Sequence, residues 1–314
     1  MVSKMNNLEI IVPAFNEEKN ISDFFHDVSN ELESVNVDWK IIFVNDGSKD
    51  DTLTVIKKLA AVRNEVAYIS FSKNFGKESA LYAGLKKSTA DYVIIMDADF
   101  QDPPSLIPEM IDCIENSNYD VISSRRTTRE GEPAIRSLFA RMFYKIINRF
   151  TNINLVDGAR DFRLMTRQVV DAVLELGEYN RFSKGIFDWV GFNTHWIEYE
   201  NIERNEGETS WSFWSLFKYS IEGIVSFTTA PLNLATVLGL VISLISFIAI
   251  LFIVVRTILF GDPVEGWPST ISIVLFVGGI QLFTIGILGQ YISRIYLETK
   301  KRPLYLIKET NLEE

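Results

Sequence analysis

Met96-Asp97-Ala98-Asp99-Phe100-Gln101-Asp102-Pro103-Pro104 follows directly on the apolar run Asp91-Tyr92-Val93-Ile94-Ile95. A short run of this kind reads as a strand buried in a parallel sheet. Two carboxylates one residue apart then sit where a strand gives way to a loop. That edge is where open α/β sheets hold their ligands. Carboxylates so close repel each other unless a cation lies between them, and a hard divalent ion that also touches phosphate oxygens suits the pair. The same residues also admit a structural reading, an acidic turn closed by Pro103-Pro104 with Asp102 capping the next helix.

Working outward, strands and helices alternate. Leu8 to Val12, Lys40 to Asn45, Val66 to Phe71, the run before Asp97 and Tyr119 to Ser123 read as strands. Helices are predicted from about Glu17 to Ser34, from Asp50 to Val62 and from about Lys77 to Lys87. This alternation implies right-handed crossovers and a mainly parallel, Rossmann-like sheet with flanking helices. Four polar loops follow the first four strands: Pro13-Ala14-Phe15-Asn16-Glu17-Glu18, Asn45-Asp46-Gly47-Ser48-Lys49-Asp50-Asp51-Thr52, Ser72-Lys73-Asn74-Phe75-Gly76-Lys77 and the acidic run itself. Gathered on one edge they make a ligand crevice. Each alone also reads as a turn or a helix start, Asp46-Gly47 as a turn dipeptide and Ser48 or Asp50 as an N-cap. Asn74-Phe75-Gly76-Lys77 lacks the earlier glycine of a P-loop, and no Gly-x-Gly-x-x-Gly occurs, so hydride transfer and P-loop NTPase chemistry lose their main support.

The 314 residues carry a formal net charge of -10, which argues against a nucleic-acid partner. The single cysteine, Cys113, excludes a disulfide framework. With only His26 and His195, zinc centres and histidine-based triads are poor candidates. Leu234 to Val255 and Thr270 to Ser293 contain no charged residue. Each exceeds the roughly 20 residues that a helix needs to cross a bilayer, so two transmembrane helices are predicted. No basic-then-apolar leader opens the chain. Arg294, Lys300, Lys301 and Arg302 follow the second span, and the positive-inside bias puts that end, and with it the N-terminal domain, in the cytoplasm.

In these ordered motifs, joined by Asp161-Phe162-Arg163-Leu164, the chain resembles the family 2 glycosyltransferases of GT-A fold. It is most similar to the membrane-anchored polyprenyl-phosphate branch, which includes bactoprenol glucosyltransferases and dolichol-phosphate mannose synthases. The resemblance covers nearly the whole chain. It implies an inverting transfer of one sugar from a nucleotide sugar, UDP-glucose or UDP-N-acetylglucosamine favoured, to undecaprenyl or another polyprenyl phosphate. It implies that Pro13, Phe15, Glu17, Asp46, Lys73 and Asp97 contact the donor. It implies that Asp97, Asp99 and Gln101 hold Mg²⁺ or Mn²⁺ against the diphosphate, with Asp99 counted among the catalytic groups. Asp161 is the implied acceptor-side base, or a group that orients the acceptor or a nearby arginine. Asp157 competes for that place, and a plain ion pair of Asp161 with Arg160 or Arg163 is the structural alternative. Arg126, Arg136, Arg163 and Arg204 are the implied contacts to the acceptor phosphate. Arg204-Asn205-Glu206-Gly207-Glu208-Thr209-Ser210 resembles a phosphate-contacting segment of the family, but Ser210 stands where many members carry lysine.

A lipid acceptor calls for cations near a bilayer. Arg125, Arg126, Arg129, Arg136, Arg141, Lys145 and Arg149 face only Glu130 and Glu132 in the same stretch. Ile135, Leu138, Phe139, Met142, Phe143, Ile146, Ile147 and Phe150 keep a helical apolar stripe, so 135–150 reads as an interfacial amphipathic helix or, failing that, a core helix. Trp211, Phe213, Trp214, Leu216, Phe217 and Tyr219 suit the headgroup belt. The expected organisation is a cytoplasmic GT-A domain over 1–210, a juxtamembrane helix over 211–230, two membrane helices over 231–296 and a cytoplasmic tail over 297–314. Gly239, Gly278, Gly279, Gly286 and Gly289 permit close helix packing, compatible with a homo-oligomer. A non-catalytic nucleotide-sugar-binding protein and a transporter of lipid-linked sugars remain open alternatives; the uncharged spans make a poor transport path.

Overall fold

The computed structural model describes residues 7–127, 148–149, 156, 158–200, 225, 228–260 and 266–313. The chain divides into two compact units, Met1–Ser220 with Pro303–Glu314, and Ile221–Arg302. The first unit begins with four βα repeats: β1 (Asn7–Ala14), α1 (Ile21–Glu33), β2 (Asp38–Asn45), α2 (Thr52–Val62), β3 (Val66–Phe71), α3 (Lys77–Lys87), β4 (Tyr92–Ile95) and, after a 3₁₀ turn at Pro104–Leu106, α4 (Ile107–Glu115). It continues with β5 (Val121–Arg126), β6 (Ala159–Thr166), α5 (Arg167–Glu175), α6 (Ser183–Trp189) and β7 (Thr194–Tyr199). The second unit holds α7 (Ala230–Phe260) and α8 (Trp267–Lys300), after which β8 (Ile307–Thr310) belongs again to the first.

The sheet runs β7-β5-β6-β4-β1-β2-β3-β8. Strands β3, β2, β1 and β4 are parallel to one another, as the alternation requires. Their apolar runs are buried on both faces: Ile10, Ile11, Val12, Ile41, Ile42, Phe43, Ile94 and Ile95 have no exposed surface. Each such side chain contributes about 1.5–3 kcal/mol of transfer free energy. Helix α3 lies so close to the sheet that a Cβ on Gly84 would come within 2.2 Å of Ile11 Cγ2. Helix α1 starts at Ile21 rather than near Glu17, because Glu17–Asn20 forms a turn in which the Asn20 and Ile21 amides both donate to the Glu17 carbonyl.

Beyond β4 the sheet departs from a simple parallel continuation. Strand β6 enters antiparallel between β4 and β5, and β7 joins β5 in parallel. Strand β8 adds an antiparallel edge beside β3. The stretch 297–314, read from sequence as a tail after the second span, thus contains a strand of the central sheet. The expected helix over 135–150 and the aromatic stretch 211–219 lie outside the described residues, apart from Asn148 and Arg149, which are helical and exposed.

Helices α7 and α8, with 31 and 34 residues, are long and apolar enough to cross a membrane, as expected. Leu240, Phe252 and Phe260 leave about two thirds or more of their surface bare. Bare apolar faces on helices whose long central stretches carry no charge suggest a membrane-associated chain.

The loops after β2 and β3 touch backbone to backbone. Gly47 has φ +66°, and a Cβ there would lie 2.3 Å from the Lys73 carbonyl carbon. Gly76 has φ +95° but open space around it. Gly47→Ala should therefore cost about 2 kcal/mol or more, strain plus overlap, against about 1 kcal/mol for Gly76→Ala. Thermal melts of the two variants check this; equal losses would show that the close approach of the loops is unimportant.

Candidate active site

The order β3-β2-β1-β4 reverses direction between β1 and β4. Loops leaving the carboxyl ends of those two strands diverge and open a crevice. Phe15–Glu17 follow β1, Asp46 follows β2, 72–77 follows β3 and Asp97 follows β4, so the sequence-predicted loops do share one edge.

Strand β6 brings a further carboxylate to that edge. Ile95 pairs with Arg163 in the antiparallel β4/β6 ladder. Continuing that register by two residues sets Asp97 opposite Asp161. Like charges directly opposed across a ladder are destabilising. The structure resolves the conflict with Lys77, the first residue of α3, whose ammonium reaches Asp97 Oδ2 at 2.7 Å and Asp161 Oδ2 at 2.5 Å. Asp161 therefore pairs with neither Arg160 nor Arg163.

The two carboxylates differ in their remaining neighbours. Burial pushes both upward. At Asp97 the field of Lys77 is opposed by Asp161, Asp102 and Asp99, and the carboxyl ends above its ordinary value. At Asp161 the charges of Lys77, Lys184 and Arg163 outweigh burial and hold it well below the usual carboxylate range. Asp161 is thus firmly ionised, whereas Asp97 takes a proton more readily.

Asp46 is turned into the fold. Its Oδ1 accepts the Phe75 amide at 2.6 Å and its Oδ2 the Gly76 amide at 2.9 Å, which fixes the loop leading to Lys77. The β1 and β2 loops are knitted in the same way. The Asn16 amide donates to Ser48 Oγ at 3.0 Å, the Lys49 amide to Asn16 Oδ1 at 2.9 Å, and the Glu17 amide to Thr52 Oγ1 at 2.8 Å. Pro13 is half-buried, while Phe15 stands out from this frame, 41% exposed. Glu17 accepts from Asn20 Nδ2 at 2.6 Å. Lys73 is exposed, with its ammonium 5.0 Å from the Phe75 ring centre.

The far side of the crevice is set by arginines. Arg160 donates to Asp102 Oδ1 at 2.8 Å and to Gln101 Oε1 at 3.1 Å. The Tyr199 hydroxyl donates to the same Asp102 oxygen at 3.0 Å. Asp102 is completely buried in this pair and caps no helix. Gln101, expected at the metal, has its side-chain carbonyl engaged by Arg160. Arg163, expected at an acceptor phosphate, is buried, with its guanidinium 3.8 Å from the Phe187 ring centre. It donates to the Asp161 carbonyl at 3.3 Å and the Arg160 carbonyl at 3.1 Å. Beside it lies a cavity of about 220 Å³, lined among others by Ser123, Lys184, Phe187 and Trp196. The Ser123 hydroxyl in its wall is buried and has no partner among the described residues. Arg126 ends β5, its amide donating to Gly158 at 3.1 Å. Arg136, Arg204 and Asp157 lie outside the described residues.

Among the described residues no three acidic, histidine or cysteine side chains converge as a complete metal cage. The donor set still fits a hard cation. Asp97 offers carboxylate oxygens at the crevice and already accepts one positive charge from Lys77, and Asp99 lies in the same turn, its Oδ1 accepting the Gln101 amide at 3.2 Å. An ion held by one or two carboxylates completes its shell with phosphate oxygens and water.

Lys77 is the residue that motif reading quoted without giving a role. The signal is positional: a lysine in a helix's first turn opposes the helix dipole and needs a compensating anion. The next residue, Glu78, is half-buried and accepts from the Ser183 amide and hydroxyl. Arg160, Lys184 and Tyr199 carry no local signal, since their partners are 58, 25 and 97 positions away.

The family model for "Glycosyl transferase family 2" matches residues 9–174. CsbB of Bacillus subtilis, provisionally named a glycosyltransferase, is 47% identical over 98% of this chain and 93% of its own. The bactoprenol glucosyl transferase of Shigella phage SfX is 43% identical over 96% of this chain and 98% of its own. Among solved structures, mannosyl-3-phosphoglycerate synthase from Rubrobacter xylanophilus superposes with a TM-score of 0.51 at 16% identity, over 69% of this chain and 71% of that one. That likeness bears on the fold alone and agrees with the GT-A architecture.

Removing the shared cation should be visible in stability. The depressed pKa of Asp161 stabilises the fold above its unfolded value of about 3.9 and loses that effect as pH falls through and below it. Lys77→Met should therefore melt below the wild type at pH 7, with the gap narrowing below about pH 4. A gap independent of pH would refute the charge-compensating role of Lys77.

Proposed function

The chain belongs to glycosyl transferase family 2, and from that premise we propose that it moves one sugar from a nucleotide sugar to a polyprenyl phosphate at a membrane. The observation that carries this reading is the meeting of Asp97 and Asp161 on one ammonium at the sheet's switch point. It sets a donor-side and an acceptor-side carboxylate face to face. The name of the phage SfX relative, a bactoprenol glucosyl transferase matched over nearly its full length, supports a polyprenyl acceptor and a glucosyl group; UDP-glucose or UDP-N-acetylglucosamine is the donor we propose.

In this reading an oxygen of the acceptor phosphate attacks the anomeric carbon. The bond to the nucleoside diphosphate breaks with inversion, and its electron pair leaves with the diphosphate. Asp97 and Asp99 would hold Mg²⁺ or Mn²⁺, which when bound would compensate the charge that grows on the leaving diphosphate. Phe15 offers an exposed ring for the base, beside Pro13 and Glu17, and Lys73 a cation for the phosphates. Asp46 acts by holding the loop that carries Phe75 and Lys77, and Gln101 by anchoring Arg160, which keeps the acidic turn in place.

Asp161 is better suited to orient than to remove a proton. A carboxylate held so far down is a weak base. A phosphate monoester, with a second pKa of about 6, is already mostly dianionic at pH 7. Lys77, Lys184 and Arg163 offset the repulsion between Asp161 and that dianion. Arg126, Arg136 and Arg204, with the basic stretch 125–149, would draw the lipid headgroup in. The charge pattern around the spans supports a cytoplasmic position for the catalytic unit and both ends of the two-span region.

The test is purified protein with undecaprenyl phosphate, Mg²⁺ or Mn²⁺ and a panel of labelled nucleotide sugars. One sugar should be transferred, and Asp97→Asn or Asp99→Asn should lower turnover by about 10²-fold or more. Undiminished turnover in excess chelator, or none with any donor, would reject the proposal.

A further inference from the structure

We propose that the end of the chain is a positioning element of the donor site, acting through Tyr305 on the 72–77 loop. The inference rests on the reading of that loop as part of the nucleotide-sugar site.

Strand β8 does more than cover an open sheet edge. Thr310, Glu309 and Ile307 pair with Ile69, Ser70 and Phe71, and the Ser72 amide donates to the Leu306 carbonyl at 3.0 Å, carrying the pairing into the first residue of the loop. Asn311 pins the outer end: its Oδ1 accepts the Tyr68 amide at 2.6 Å and its Nδ2 donates to the Val66 carbonyl at 3.3 Å. Lys57 and Glu309 add an ion pair at 2.6 Å.

Tyr305 precedes the strand and makes a different contact. Its ring stacks on Phe71, centroids 5.0 Å apart and planes 14° from parallel. Phe71 in turn meets Phe75 edge-on at 5.8 Å. The Phe75 amide is held by Asp46, and two residues later Lys77 bridges Asp97 and Asp161. Three rings thus connect the segment before β8 to the loop that carries Lys73 and leads into Lys77, the loop read above as part of the donor site. The Tyr305 ring also lies 6.4 Å, centre to centre, from that of Tyr82 in the middle of α3, so it neighbours both the strand before the loop and the helix after it. An edge-covering strand needs none of these contacts.

The experiment uses the full-length protein and steady-state kinetics with separate variation of donor and acceptor. Tyr305→Ala should raise the donor KM by about three- to tenfold, the size a stacked aromatic pair can transmit. Its kcat and acceptor KM should stay within about twofold of the wild type. Tyr305→Phe, which keeps the ring, should behave as wild type. Tyr305→Leu keeps bulk without stacking and should resemble Tyr305→Ala, which guards against misfolding of the alanine variant. Lys57→Ala weakens β8 pairing without touching the rings and should leave the donor KM unchanged. A wild-type donor KM in both Tyr305→Ala and Tyr305→Leu overturns the inference, as does an equal rise in Lys57→Ala. Wild-type protein that binds no nucleotide sugar overturns instead the reading beneath it.

Discussion

One ammonium between two carboxylates is the constraint around which this fold is arranged. The parallel half of the sheet delivers Asp97, and the antiparallel strand β6 delivers Asp161 to the same edge. Without Lys77 these groups would face each other across a ladder with no compensation, in a crevice where water screens them only in part. Lys77 can serve both because it occupies the first position of α3, where the side chain projects from the helix end toward the strand tips. The position of the helix start thus matters more than its length. Asp46 sets that start by taking the two amides that precede it.

The same economy governs the surrounding loops. Backbone amides of the β1, β2 and β3 loops are satisfied by side chains of neighbouring loops rather than by water. The Asn16 amide donates to Ser48 Oγ while the Lys49 amide donates back to Asn16 Oδ1, and Gly47 lets two backbones touch where any side chain would intrude. Loops fixed in this way lose little further freedom when a ligand arrives, which is the general condition for precise placement of reacting groups.

The parallel half could be read from sequence because each of β1 to β4 is a short apolar run ended by turn chemistry, and a doubly buried strand leaves no other pattern. The remaining strands hide for a physical reason. Ala159-Arg160-Asp161-Phe162-Arg163-Leu164-Met165-Thr166 spends its charged residues on the site, so the alternation that would announce a strand is overwritten. Ile307-Lys308-Glu309-Thr310 is an edge strand, and edges are kept polar. The loops carrying Phe15, Glu17, Asp46 and Asp97 share one sheet edge, as their positions after successive strands require, but the partners of each side chain could not be read from the sequence. Asp46 and Gln101 turn to protein partners, and the role of Lys77 rests on Asp97 and Asp161, 20 and 84 positions along the chain. Such distinctions depend on partners far apart in the chain, which no local pattern encodes.

An antiparallel strand at the centre of an otherwise parallel site has a consequence for how two substrates meet. Parallel strands all present their carboxyl ends to one edge, and their loops form the side of the crevice proposed above for the donor. A second substrate needs groups that arrive at that edge from another direction, and only an antiparallel strand supplies its amino-terminal residues there. In the β5/β6 ladder Ser123 pairs with Arg163 and Arg125 with Ala159, so β6 carries two surplus residues at Arg160 and Asp161. Bulges of this kind re-aim side chains beside active sites. Here the surplus lets Arg160 turn toward Asp102 while Asp161 turns toward Lys77, one residue bracing the acidic turn and the next facing it. The proposed division between donor and acceptor sides thus follows strand direction, and the irregularity in β6 lets one short segment reach both the acidic turn and Lys77.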